Sequence, residues 1–260
     1  MGVITFNGVS SDSLGVVVEH APDYQIAEPN IENITIPGRN GNILIHDGSY
    51  KNTNRSYEIA FVDSDTSTYR DRARAVAEWL FSPTQYSRLE DTYESDYYRE
   101  AMCVSSVNIT NILERAGRCT VDFNCKPQRY FKSGENTITI NEANFPYSIS
   151  APSNFIAIPD LIFTFTSYLG TASITMTAGR DSICSFTVSC PSGGGVITSL
   201  VGDLKEYIYG RPDSGAGAIN RFFTLSGSFP YLAAGRSTSF VLNSATAFSK
   251  LEVIPKWWTL

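Results

Sequence analysis

Only one stretch of this chain, Tyr69 to Phe81, has the apolar periodicity of a helix; the rest breaks into short alternating runs separated by turn residues. Ala73, Val76, Ala77 and Leu80 fall at i, i+3, i+4 and i+7, which predicts one apolar stripe. Thr68 stands where a cap would, with Asp71 three residues on, and Pro83 lies just past the end. A chain of 260 residues with a single helix must build its core from sheets, so the fold class is mainly β.

The strands can be read from their punctuation. Val3–Phe6 and Val16–Glu19 are split by a turn at Asn7-Gly8 and a loop ending at Leu14-Gly15. Ile31–Ile36 and Asn42–His46 flank the cluster Pro37-Gly38-Arg39-Asn40-Gly41, and Asp47-Gly48 is expected to end the second of them. Ser56–Val62, Glu100–Ile112 and Arg118–Lys126 complete the first half. A boundary is expected near Tyr130–Glu135, dividing a domain of residues 1–131 from one of residues 132–260. The second half reads as nearly all strand, from Thr137–Ile140 to Lys250–Pro255, including Glu206–Ile208. Turns at Gly179, Gly193-Gly194-Gly195, Gly210 and Gly235 give it the spacing of an antiparallel sandwich.

Charge divides along the same boundary. Residues 1–131 hold 12 Lys and Arg against 18 Asp and Glu, whereas residues 132–260 hold 8 of each, so the whole net charge of −6 sits in the first half. An acidic balance argues against sequence-specific nucleic-acid binding, because it repels a phosphate backbone. Five cysteines, an odd number, fit a disulfide framework poorly. Cys119, Val121, Phe123 and Cys125 alternate along one strand, as do Cys184, Phe186, Val188 and Cys190, so these thiols read as reduced and packed in cores. Met1 to Gly8 has no charged region followed by an apolar stretch, so no signal peptide is expected, and no apolar run approaches the roughly 20 residues that cross a bilayer. Synthesis in a reducing cytoplasm and no membrane insertion are expected.

Catalytic signatures are missing from the sequence. His20 and His46 are the only histidines, and neither has a partner at metal-ligand spacing. No nucleophile elbow, phosphate-binding loop or zinc-protease motif occurs. Gly215-Ala216-Gly217 starts like a dinucleotide fingerprint but is followed by Asn220 where glycine is needed. The acids from Glu90 to Glu100 read as a solvated hairpin tip in preference to a glycosidase pair. No catalytic residue, metal or cofactor is expected, and the chain reads as a non-enzyme.

The turn clusters, taken in order, resemble those of siphophage distal tail proteins, the hub components of phage baseplates. They are Phe6-Asn7-Gly8, Leu14-Gly15-Val16, Pro37-Gly38-Arg39-Asn40-Gly41, Asp47-Gly48-Ser49-Tyr50 and Arg55-Ser56-Tyr57. Val121 to Pro127, Gly227-Ser228-Phe229-Pro230-Tyr231-Leu232 and the closing Ile254 to Leu260 are similar too. The resemblance implies an N-terminal split β-barrel-like domain with one α-helix and a C-terminal galectin-like β-sandwich. It implies a hexameric ring in the virion that joins the tail tube protein to the tail-tip or baseplate proteins, with DNA passing through the lumen. Receptor-binding proteins are further partners that it suggests.

On that basis Pro37, Gly38, Arg39, Asn40, Gly41, Asp47, Gly48 and Tyr50 are the candidate subunit contacts. Glu90, Asp91, Glu94 and Asp96 are the candidate lumen-lining acids. The alternative function is a carbohydrate-binding adhesion protein, since galectin-like sandwiches often bind sugars. It lacks a His in the second half, and the only Trp residues there are the pair Trp257-Trp258.

Overall fold

A computed structural model of the chain describes residues 2–62, 66–104, 109–112, 116–167, 169–190, 197–202, 209–212 and 223–260. The expected turn at Gly193-Gly194-Gly195, the expected strand Glu206–Ile208 and the Gly215-Ala216-Gly217 sequence lie outside them. The chain divides into two compact units, Met1–Arg129 with Leu260, and Tyr130–Thr259.

In the first unit the elements run β1 (Ile4–Phe6), β2 (Val9–Ser10), β3 (Val16–Val18), β4 (Pro29–Ile34), β5 (Ile43–Tyr50), β6 (Thr53–Val62), α1 (Thr66–Phe81), β7 (Ser87–Asp91), β8 (Tyr97–Cys103), β9 (Thr110–Ile112) and β10 (Ala116–Phe131). Asn7 and Gly8 both have positive φ, 50° and 77°, as a two-residue hairpin turn requires, and they pair Phe6 with Val9. One sheet is ordered β2-β1-β7-β8-β10-β6-β3. It curls until Gly2, just ahead of β1, exchanges two 3.2 Å backbone hydrogen bonds with Val18 on β3. The result is a barrel-like sheet closed by one bridge. Alternation fills its interior with Ile4, Phe6, Tyr57, Ile59, Phe61, Leu89, Val121 and Phe123, all nearly fully buried.

Helix α1 packs on this core with Tyr69, Val76, Trp79 and Leu80 buried. Its apolar face is therefore rotated from the one the sequence suggests: Ala77 is exposed, and the Trp79 indole N–H donates to the Phe6 carbonyl at 3.1 Å. The helix starts at Thr66, so Thr68 lies inside it and does not cap it.

The second unit is two antiparallel five-stranded sheets sharing one core. Its strands are β11 (Ile138–Asn141), β12 (Tyr147–Ser150), β13 (Asp160–Phe165), β14 (Thr171–Ala178), β15 (Asp181–Ser189), β16 (Ile197–Val201), β17 (Tyr209–Pro212), β18 (Phe223–Gly227), β19 (Ser237–Thr246) and β20 (Phe248–Ile254). Their orders are β11-β20-β13-β16-β17 and β12-β19-β14-β15-β18. Gly210 lies within β17, paired with Leu200, rather than in a turn. Phe163, at the centre, meets Phe186 and Phe223 edge-on, each with ring centroids 5.9 Å away.

All five cysteines are free and buried. Cys119 and Cys125 face the first core, Cys184 and Cys190 the second, as their alternation predicts. Within each pair the two residues are six positions apart along extended backbone, Cys190 just past the end of β15, and the roughly 20 Å between them is more than a disulfide spans. Burial pushes the thiols of Cys119 and Cys125 up to about 11 and that of Cys184 up to about 12. Native protein at pH 8 should therefore resist an alkylating reagent, whereas protein denatured without reductant should take up five labels by mass spectrometry. Fewer than five would mean a disulfide.

Candidate functional site: an exposed arm and an ionic barrel mouth

Strands β4 and β5 form a two-stranded sheet of their own, separate from the barrel ladder. Glu32 pairs with Ile45, Asn33 with Leu44 and Ile34 with Ile43. Cross-strand partners share a face, so one face carries Ile31, Asn33, Leu44 and His46, and the other carries Glu32, Ile34, Ile43 and Ile45. Both faces are open. Leu44 is 64% exposed, Ile45 46% and Ile31 44%. No residue of this arm belongs to either core. An isolated two-stranded hairpin is marginally stable in water, and exposed aliphatic side chains gathered on one signal a surface that something covers.

The arm's tip is the Pro37–Gly41 cluster, every residue of it exposed. Gly38 and Gly41 both have φ of +81° with open space around them, and the Thr35 hydroxyl donates to Asn42 Oδ1 at 3.2 Å. Asp47-Gly48 does not end the strand as the sequence suggested. It bulges it instead: the register steps from Pro29–Tyr50 to Ile31–His46, with Asp47, Gly48 and Ser49 looped out opposite Asn30. Gly48, with φ of +85°, supplies the left-handed residue. Asp47 Oδ1 accepts from the Ser49 N–H at 2.8 Å and its hydroxyl at 2.7 Å, and these bonds hold the Asp47 carboxyl below its ordinary value. Asn30 Nδ2 donates to Ser49 Oγ at 2.6 Å, and the His46 and Tyr50 rings meet edge-on at 5.6 Å. All eight candidate contact residues thus lie on one arm, and Tyr50 alone among them is half-buried.

One end of the barrel interior is ionic. The alternation that points Tyr57, Ile59 and Phe61 inward also points Arg55 inward, and its side chain is only 6% exposed. Arg55 Nη2 lies 2.9 Å from Asp91 Oδ2 and 3.1 Å from Glu94 Oε2. The Tyr57 hydroxyl donates to Asp91 Oδ2 at 2.6 Å, and the N–H groups of Tyr93 and Glu94 donate to Asp91 Oδ1 at 2.9 and 2.8 Å. Arg99 and Arg129 complete the cluster on Glu94, the latter at 2.7 Å. Burial alone would raise the Asp91 and Glu94 carboxyls. Hydrogen bonds from Tyr57 and Arg99 and the neighbouring guanidiniums outweigh it and hold both below their ordinary values. Burial, the Asp91 charge and the hydrogen bond to Asp91 push the Tyr57 hydroxyl far up.

The four candidate lumen acids therefore divide. Asp91 and Glu94 point inward and are neutralised by arginines of their own unit. Glu90 is bonded by Arg88, whose guanidinium lies 3.9 Å over the Tyr98 ring. Asp96 alone stands exposed at the β7–β8 tip. Sequence reasoning missed Arg55, Tyr57, Arg99 and Arg129 as a cluster. The signal was present for Arg55, a charged residue in phase with an apolar strand face. In the second unit Trp257 and Trp258 are buried, and the Trp258 indole stacks on Phe155 at 4.5 Å, so neither offers an open ring to a sugar. Among the described residues no three His, Cys, Asp or Glu side chains gather closely enough to hold a metal ion, and no helix is long and apolar enough to cross a membrane.

Comparison with known proteins places this geometry. Residues 11–125, which include the arm, the helix and most of the barrel, match the model of the phage tail protein RIFT-related domain. No curated protein sequence matches the chain. Among solved structures, the SPP1 Dit (gp 19.1) protein, described as a paradigm of hub adsorption apparatus in phages infecting Gram-positive hosts, aligns over 100% of both chains with a TM-score of 0.70 at 12% identity. A chain of the phage P2 baseplate in its activated conformation with calcium aligns over 97% of this chain and 96% of its own, with a TM-score of 0.54 at 10% identity. Residues 11–125 are thus similar to the phage tail protein RIFT-related domain, and the chain as a whole shares the fold of the SPP1 Dit protein.

Proposed function

We propose that this chain is a structural hub subunit of a long-tailed phage, working by assembly rather than catalysis. Six copies close into a ring between the tail tube and the baseplate or tail tip, and DNA passes through its lumen. The second unit, a galectin-like sandwich, presents surface to baseplate partners, receptor-binding proteins among them. The observation that carries this reading is the arm: a hairpin with aliphatic residues on both faces, no core of its own, and a chain region matched to a phage tail domain. Packing each arm on a neighbouring copy covers those side chains and the unpaired strand edges together.

Leu44→Asp combined with Ile45→Asp tests it. Buried anchor residues cost about 2 kcal/mol or more when lost, so self-association should weaken by roughly 30-fold or more while the monomer stays folded. Unchanged association, read by sedimentation across a concentration series, would refute the arm as the contact. Exposed acids of the first unit, Asp96 among them, face the lumen in this arrangement and keep DNA from adhering to it. Asp96→Lys should then slow DNA ejection without preventing assembly, and an unaltered ejection rate would remove Asp96 from that role.

A further inference from the structure

We infer that Arg129 is a positioning residue that fixes the direction in which the arm leaves the barrel. Its guanidinium lies between two aromatic rings, 4.8 Å from the centroid of Tyr24 and 5.0 Å from that of Tyr97. Its edges are occupied too. Nη1 donates to Glu94 Oε1 at 2.7 Å, while Nε and Nη2 donate to the Leu260 main-chain oxygen at 3.1 and 2.6 Å. The side chain is 14% exposed. Glu94 cannot follow a moving Arg129, because its other oxygen is held by Arg55 and Arg99. The barrel mouth is thus an anchored cation with one aromatic face turned toward the arm.

Tyr24 is the arm's side of this contact. It precedes β4 in a segment, residues 21–28, that has no ladder of its own. Other contacts also tie that segment down: Gln25 Oε1 accepts from the Asn54 N–H at 2.8 Å, Ala27 is buried, the Glu28 carbonyl accepts from the Lys51 N–H at 2.8 Å, Lys51 Nζ lies 3.2 Å from Glu28 Oε2, and the Tyr24 hydroxyl reaches the Leu260 oxygen at 3.5 Å. The returning side of the arm runs almost directly into β6 and shares the barrel's rigidity. The outgoing side depends on side-chain contacts, and the Tyr24–Arg129 stack is the one that reaches the ionic cluster. A planar guanidinium can be held between two rings while donating from its edges. A lysine ammonium cannot do both, so Arg129→Lys is not a conservative change here. The arm's own ladder would survive loss of the stack, and its angle would not. The consequence for ring closure rests on the arm being the subunit contact.

The test uses the full chain at a concentration where it is monomeric. Spin labels are placed at Asn40→Cys on the arm tip and Glu78→Cys on the exposed face of α1, the five native thiols being buried. The electron–electron distance distribution should be narrow in the parent and of roughly doubled width in Tyr24→Ala and in Arg129→Lys. Tyr24→Ala leaves the barrel cluster intact, so it reads the stack even if Arg129 variants fold poorly. A parent distribution as broad as the variants', or variants as narrow as the parent, would overturn the inference. Self-association is read separately. A narrow Tyr24→Ala distribution with arm-dependent assembly overturns the stack's role alone, while a broadened one with arm-independent assembly supports it and removes only its consequence for the ring.

Discussion

Replacing Asp91 with Ala is expected to destabilise the first unit by about 3–5 kcal/mol, the usual cost of leaving a buried charge without its partner. The Asp91 side chain is 3% exposed and takes hydrogen bonds from Arg55, Tyr57 and two backbone N–H groups, so its loss strands several donors at once. Two compact units, each with its own core, are expected to give separate transitions, so a whole-chain midpoint is not the right readout. Trp79 fluorescence in a chain with Trp257 and Trp258 replaced by Phe reports on the first unit, and denaturant titration gives the difference. Pairing Asp91→Leu with Arg55→Met should recover part of the loss, since removing both ions is less costly than removing one, while the Tyr57 hydroxyl and two N–H groups still lack their acceptor.

The same cluster sets the acid response. Asp91 and Glu94 are held below their ordinary values of 3.8 and 4.5. Their ionised forms therefore stabilise the folded state fully above the ordinary carboxylate range. That contribution is lost as pH falls through the depressed folded-state values, below about pH 4. The Trp79 signal of the parent should show steepening instability in that window, and Asp91→Ala should show a flatter profile.

Phe163→Ala is expected to cost about 3–5 kcal/mol in the second unit. Phe163 is fully buried between the sheets and makes edge-on contacts with both Phe186 and Phe223. Removing the ring opens a cavity that two sheets, each held by its own long ladders, cannot collapse to fill. Trp257, buried in that core, is the reporter in a chain with Trp79 replaced by Phe, and the Trp79 transition of the chain lacking Trp257 and Trp258 should not move. A loss under about 1 kcal/mol would mean that the sheets are less tightly packed than the ring contacts indicate.

Much of this architecture was legible because strand alternation and turn chemistry are local. Asn7-Gly8 marked its turn, although the short strand Val9–Ser10 that it pairs with β1 reads as loop in the sequence, and the two cysteine strands bury the faces that their period-two pattern points inward. The misreadings have physical causes as well. Asp47-Gly48 looks like a strand end, but on the arm the flanking residues keep their ladder and the pair becomes a bulge. The helix face differs because Ala77 fits a periodic stripe, whereas the larger Trp79 is the residue buried against the barrel, with its indole N–H on the Phe6 carbonyl. The run from Glu90 to Glu100 read as a solvated tip because its counter-ions, Arg55 and Arg129, are far away in sequence. Asp91 and Glu94 are brought to them only when the barrel closes. The arm's loop was legible as turn chemistry, whereas its isolation from both cores is a property of the three-dimensional fold.

Ring formation is tested most directly by the mass of the purified chain in solution, followed by sedimentation velocity up to high concentration and by negative-stain imaging at the upper end. A concentration-dependent rise to six times the 28.6 kDa chain is expected, with rings in the images, and a shift back toward monomer for Leu44→Asp with Ile45→Asp. Monomers at every concentration, with no rings formed even alongside tail-tube protein, would contradict it.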